Sequence, residues 1–94
     1  MIHALKIDPE FFIAVKYGGK TFEVRKNDRD FKVGDYMALN EYNAESGEYT
    51  RCGVLTRITY ILDDERYCKD GFAIIGFVRV YVMDEYGSHP RLEV

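Results

Sequence analysis

Lys20, Thr21, Glu23 and Arg25 stand in one short run, KTFEVR, and these are the residues whose types and spacing could do chemistry. A carboxylate between an ammonium and a guanidinium can accept hydrogen bonds from the amino group of a base, while the two cations hold a phosphate or a carbonyl. If the carboxylate is desolvated it can also act as a general base, with Lys20 placed to stabilise an oxyanion. The same residues also read as a structural ion pair on a solvated strand face, and residue chemistry by itself favours that plainer reading. Lys26, Asp28, Arg29 and Asp30 follow at once. They form either a loop that grips phosphate or, more commonly for mixed charges, a loop paired with itself in solvent. Between Lys16 and Lys32 there are six basic residues and three acidic ones, so the stretch is locally positive in a chain of net charge −3.

The elements that must position this run are legible on either side of it. Gly18-Gly19 can adopt the positive φ that ends a helix, and the alternation of Thr21–Arg25 then predicts a strand. Alternation puts Phe22 and Val24 on one face, expected to be the core, and Thr21, Glu23 and Arg25 on the other. Upstream, Ile2–Ile7 reads as a strand with His3, Leu5 and Ile7 on one face. Asp8-Pro9-Glu10 opens a helix to about Tyr17, with the Asp8 side chain expected to cap it, and Phe11, Phe12, Val15 and Ile13 form its apolar side. Downstream, Val33-Gly34-Asp35 turns into a strand over Tyr36–Tyr42. The polar loop Asn43–Glu48 makes a hairpin to a long strand, Tyr49–Leu62. Gly53 is the expected bulge or corner in that strand. A loop over Asp63–Gly71 carries a second short helical turn, and Phe72–Val82 is a central strand in which Gly76 marks another bend. Residues 1–83 then form one domain and 84–94 a polar, loosely attached tail.

Five to six strands, one N-terminal helix and two strand-interior glycines predict a mostly β protein, a small curved sheet closing into a barrel. Composition agrees: 47% apolar and 15% aromatic residues describe a globular domain. The acidic balance excludes avid, non-specific binding to phosphate backbone, so any nucleic-acid role must rest on a local patch. Cys52 and Cys68 lack metal spacing and read as reduced thiols of a cytoplasmic protein. No basic-then-apolar leader opens the chain, and no apolar run approaches the roughly 20 residues that span a bilayer. Asp63-Asp64-Glu65 reads as a solvated turn rather than a metal site, and no cofactor is expected. His3 could shuttle a proton or contact a base beside Lys6, although a lone His in such a strand is more often packed and hydrogen-bonded. Of Tyr36, Tyr42, Tyr49 and Tyr60, one is expected to face a ligand.

At GGKTFEVRKNDR, together with HALKI, YILDD and GFAIIGF, the chain resembles the ASCH branch of the PUA-like superfamily. More closely, it is similar to a small bacterial and phage family of unknown function within that branch. The resemblance covers most of the chain up to Val82. It implies a PUA-like β-barrel with a cleft beside the helix–strand junction, and RNA or a modified nucleoside as its ligand, with His3, Lys6, Lys20, Glu23, Arg25 and Arg29 as candidate contacts. Some ASCH members are amidohydrolases acting on an acylated cytidine such as N4-acetylcytidine, and their catalytic lysine falls on Lys20. Their nucleophilic threonine falls on Glu23, with Thr21 two residues earlier on the same strand face, and Glu65 is the nearest match to their later glutamate. A carboxylate cannot take over a hydroxyl's acyl-transfer role. The resemblance therefore implies a binding module first, a metal-independent amidohydrolase second, and a protein-interaction module without a nucleic-acid ligand third.

Overall fold

The computed structural model describes residues 1–84 and 91–92. The chain opens with β1 (Ile2–Ile7), whose alternation buries His3, Leu5 and Ile7. Helix α1 (Pro9–Lys16) follows. Asp8 precedes it in an extended conformation, but its side chain makes no capping bond; its backbone carbonyl instead accepts the Phe12 N–H at 2.8 Å. Pro9 removes one of the free N–H groups of the first turn, which lessens the need for a side-chain cap. Phe12 and Val15 are buried in the core, whereas Phe11 and Ile13 stay exposed. The helix ends where Gly18 takes φ +84°. Its last carbonyls are not left free. Gly18 N–H donates to Val15 O, Lys20 N–H donates to Ala14 O, and Arg79 Nη1 donates to Lys16 O at 2.5 Å. These bonds fix the chain direction just before the KTFEVR run.

Five further strands complete the sheet: β2 (Phe22–Lys26), β3 (Tyr36–Asn43), β4 (Glu48–Leu62), β5 (Phe72–Met83) and the two-residue β6 (Arg91–Leu92). The order is β1-β3-β4-β5-β2, with β6 beside β5. β1 runs parallel to β3 and the other pairs are antiparallel. Of the expected tail, Arg91–Leu92 thus pair with β5; positions 85–90 and 93–94 lie outside the described residues. The loop between β4 and β5 contains a single helical-type turn, in which Tyr67 and Cys68 N–H both donate to Asp64 O. Both cysteines are free thiols, and Cys52 is buried. Among the described residues no helix is long and apolar enough to cross a membrane.

The sheet curls into a half-barrel. Register shifts bend the long β4, one between Leu55 and Thr56 and another between Ile58 and Tyr60, where Gly76 lies opposite. Gly53 stands at the expected corner, where the register shift of the β3–β4 ladder ends at its pairing with Asn40 and the ladder with β5 begins at its pairing with Met83. A Cβ there would lie 3.2 Å from both Asn40 Oδ1 and Leu39 O, so the glycine permits close approach to β3. The positive φ in this part of β4 belongs instead to Arg51, at +74°, opposite the register shift between Asn40 and Tyr42.

β2 faces opposite to the sequence expectation. Phe22 is 44% exposed and Val24 54%, while Glu23 is only 5% exposed. The register with β5 decides this, because Glu23 pairs with Ile75, a fully buried residue of the inner face, and Phe22 and Val24 pair with Gly76 and Ile74. The polar face of β2 therefore turns towards the interior of the half-barrel.

Candidate ligand-binding site

The two outer strands of the curl, β1 and β2, share no ladder among the described residues. Side chains bridge the seam instead. Arg25 Nη2 donates to Lys6 O in β1, and Arg29 Nη1 donates to Ala4 O at 3.2 Å. Two guanidiniums thus engage alternate carbonyls of a strand edge, the groups that a neighbouring strand would otherwise satisfy.

Glu23 stands behind this seam with both carboxylate oxygens engaged. Arg25 Nε donates to Oε2 at 2.9 Å, and the Lys20 ammonium donates to Oε1 and also to Phe22 O at 2.8 Å. Lys20 Nζ lies 5.3 Å from the ring centres of both Phe11 and Phe22. Each aromatic face attracts the cation and displaces water from it. A carboxylate this deeply buried requires paired, hydrogen-bonding partners, and the two cations supply them. The triad carries a net positive charge.

Cavities flank Arg25 on either side. One, of about 230 Å³, is lined by Lys6, Asp8, Phe11, Glu23 and Arg25 together with Ile7 and Val24. The other, of about 370 Å³, is lined by Ala4, Leu5, Lys6, Arg25, Arg29, Asn40 and Tyr49. The seam thus brings together Lys6, Lys20, Glu23, Arg25 and Arg29 from three separate parts of the chain.

His3 and Thr21 do not join them. His3 is packed against Phe31, with ring centres 4.7 Å apart, and its Nε2 meets Asp35 Oδ2 at 2.9 Å. That contact, the N-terminal amine and the Lys32 N–H together hold the Asp35 carboxyl below the usual carboxylate range, the histidine contributing most. Thr21 is exposed; its carbonyl accepts the Phe77 N–H, and its residue lines neither cavity. In the charged loop Asp30 and Lys32 pair in solvent at 3.4 Å, so only Arg29 reaches the seam. Asp64 pairs with Arg66 in its own turn, which lowers the carboxyl's pKa. Of the four tyrosines, Tyr49 lines the larger seam cavity and packs edge-on against Tyr42, with ring centres 5.0 Å apart. Phe11 and Asn40 also belong to the site. Phe11 could have been suspected from its place on the helix before Lys20, but Asn40 arrives only through the β1–β3 register, in which it pairs with Lys6.

Fold and site together define a small half-barrel protein whose seam is held by a buried carboxylate and its cations. The chain belongs to the family described as domain of unknown function (DUF3850), whose model matches residues 2–77. It is also 35% identical over 69 residues to an uncharacterized 12.9 kDa protein in the GpA 3′ region of Escherichia phage P2. That match covers 73% of this chain and 62% of the phage protein, so the chain spans about three-fifths of its relative's length. The family match contains every residue of the seam site.

Proposed function

We propose that the protein is an ASCH-type, PUA-like module that binds RNA or a nucleotide-sized ligand at the β1–β2 seam. The observation that carries this reading is the buried Glu23, which pairs with Lys20 and with Arg25 where Arg25 lies between two cavities, in an otherwise acidic chain. Lys6, Arg25 and Arg29 supply donors for a phosphate or carbonyl. Each oxygen of Glu23 has a second lone pair, so the carboxylate can keep both cations and still accept one bond from an amino group in the cavity it lines. Phe11 offers the ligand an exposed ring. The amidohydrolase reading needs a hydroxyl nucleophile within reach of the Lys20 ammonium; that ammonium is bonded to Glu23 and Phe22 O, and neither Lys20 nor Thr21 lines a seam cavity, which favours binding over turnover.

Calorimetric titration with nucleosides including N4-acetylcytidine, nucleoside 5′-monophosphates and short RNAs, with mass spectrometry of each mixture, tests this. Saturable binding without product, weakened at least about tenfold by Arg25→Ala through loss of one charge-assisted contact, supports the module. Product formation would install the hydrolase instead. Silence across the whole panel would overturn both and leave a protein-interaction module.

A further inference from the structure

The outer face of the sheet carries a trough that continues from the seam cavity. The ladders place Lys6, Asn40, Gly53 and Met83 in one lateral row and Ala4, Ala38, Leu55 and Tyr81 in the next. Leu5, Leu39 and Val54 are buried between them, so these rows face outward. Alanines and a glycine make the floor low where β1, β3 and β4 meet. A cavity of about 410 Å³ lies beside this floor, over β3, β4 and the Tyr81–Met83 end of β5, and it meets the 370 Å³ seam cavity, which β1 lines, at Asn40 and Tyr49.

The charge of this trough is one-sided. The residues lining the two cavities include Lys6, Arg25, Arg29 and Arg51 and no carboxylate, although the chain has more acidic than basic residues. Tyr49, 55% exposed, stands on the shared ridge. Its ring is held edge-on by Tyr42, over which the Lys6 ammonium sits at 4.2 Å. Arg51 is placed in the second cavity by a left-handed backbone, φ +74°, a conformation costly for a side-chain-bearing residue in a strand. Glycine would serve the bend at no such cost, yet the position carries a cation. A cationic track interrupted by an exposed aromatic ring fits a polyanion whose flat bases are free to stack, which is a nucleic acid with unpaired bases.

We infer that a single-stranded nucleic acid lies across the outer face of β1, β3 and β4, its phosphates against Lys6, Arg25, Arg29 and Arg51 and one base stacked on Tyr49. The inference rests on the reading of the seam as a nucleotide site and extends it to a strand that continues over the sheet.

Fluorescence anisotropy of the full chain with dye-labelled oligonucleotides of about ten residues, as single-stranded RNA, single-stranded DNA and duplex, provides the test. Single strands should bind at least about tenfold more tightly than the duplex, because only they offer a base to Tyr49. Tyr49→Ala should weaken single-strand binding about tenfold. Arg51→Gly, which removes the cation while suiting the backbone, should weaken it severalfold and reduce the salt slope by about 0.7 between roughly 50 and 200 mM salt. It should leave binding of a nucleoside 5′-monophosphate unchanged. Equal affinity for RNA and DNA would assign recognition to phosphates and bases, and tighter RNA binding would add a 2′-hydroxyl contact. Duplex binding as tight as single-strand binding, or Arg51→Gly and Tyr49→Ala proteins that bind single strands like the parent, would overturn the trough while leaving the seam reading intact. Single-strand binding that depends on Arg51 and Tyr49, without monophosphate binding, would keep the trough and remove the seam site.

Discussion

Replacing Glu23 by Gln removes one charge and almost no volume, so it isolates what the carboxylate does. In the parent the side chain is 6% exposed, and those of Lys20 and Arg25 are 18% and 23% exposed. Solvent screening therefore acts only weakly on the triad. Two hydrogen bonds to a charged acceptor are lost or weakened, each worth about 1.5–3 kcal/mol, and the glutamine NH₂ must then face a cation. The loss is partly offset because Lys20 keeps Phe22 O and Arg25 keeps Lys6 O. We expect a net loss of about 2–4 kcal/mol, near the lower end of the range for breaking a buried ion pair from one side. Against a total stability of about 5–15 kcal/mol, a shift of that size is plain in a urea titration at neutral pH, with the slope unchanged. Lys20→Met and the double variant close a thermodynamic cycle, in which a coupling of at least about 1 kcal/mol is expected for residues in direct contact. A Glu23→Gln protein within about 0.5 kcal/mol of the parent, additive with Lys20→Met, would show that the triad is a solvated surface cluster and refute its role as organiser of the seam.

Other perturbations separate the remaining parts of the argument. Arg25→Ala should cost about 1.5–3 kcal/mol because it strips Glu23 of a partner, whereas Arg29→Ala, which loses one exposed bond, should cost no more than about 1 kcal/mol; equal losses by denaturant titration would contradict the ranking. Gly53→Ala should lower stability by about 1–3 kcal/mol, since the added carbon meets a backbone oxygen 3.2 Å away, and an unchanged melting temperature would refute the close approach. Asp35 sets a pH dependence. Its folded-state pKa lies below the unfolded value of about 3.9, so its stabilisation is complete above that value and is lost as pH falls through the folded-state pKa. Asp35→Asn should therefore flatten the acid limb of stability measured by urea midpoints between about pH 2 and 7, and an unaltered limb would remove Asp35 from the account.

Much of this fold is legible in the sequence because its strands alternate and its turns carry glycine or charge. β1 and β4 fall where alternation places them, β3 after its predicted turn and β5 at its near-continuous apolar run, and Lys20, Glu23 and Arg25 are neighbours by spacing alone. What could not be read is everything that depends on register. Lys6 and Arg29 are candidate contacts from the family resemblance, but the curl that brings β1 to face β2 and sets them together is not in the sequence, and Asn40 joins only because β3 runs parallel to β1. The partner of His3 lies 32 residues away in a turn, so its inward direction was visible but Asp35 was not. Arg51 gave no signal, since nothing in the sequence marks an arginine as the residue that takes a left-handed conformation in place of the neighbouring glycine.

The reversal of β2 has the greatest bearing on function, because it breaks the inside–outside rule on both faces of one strand. Turning Glu23 inward removes a charge from water and obliges Lys20 and Arg25 to follow it. Turning Phe22 and Val24 outward forgoes apolar burial worth about 1.5–3 kcal/mol for each side chain if it were complete. A strand shaped only for stability would present its apolar residues to Ile75 and its charged residues to solvent. The register instead sets a fully satisfied charge cluster against the open seam, where donors from Arg25 and Arg29 lie beside cavities. Departures from local rules concentrate where a protein must present polar groups in a fixed geometry. By that reasoning the inverted face of β2, more than the charge content of its sequence, is the ground for the proposal that the seam binds a ligand.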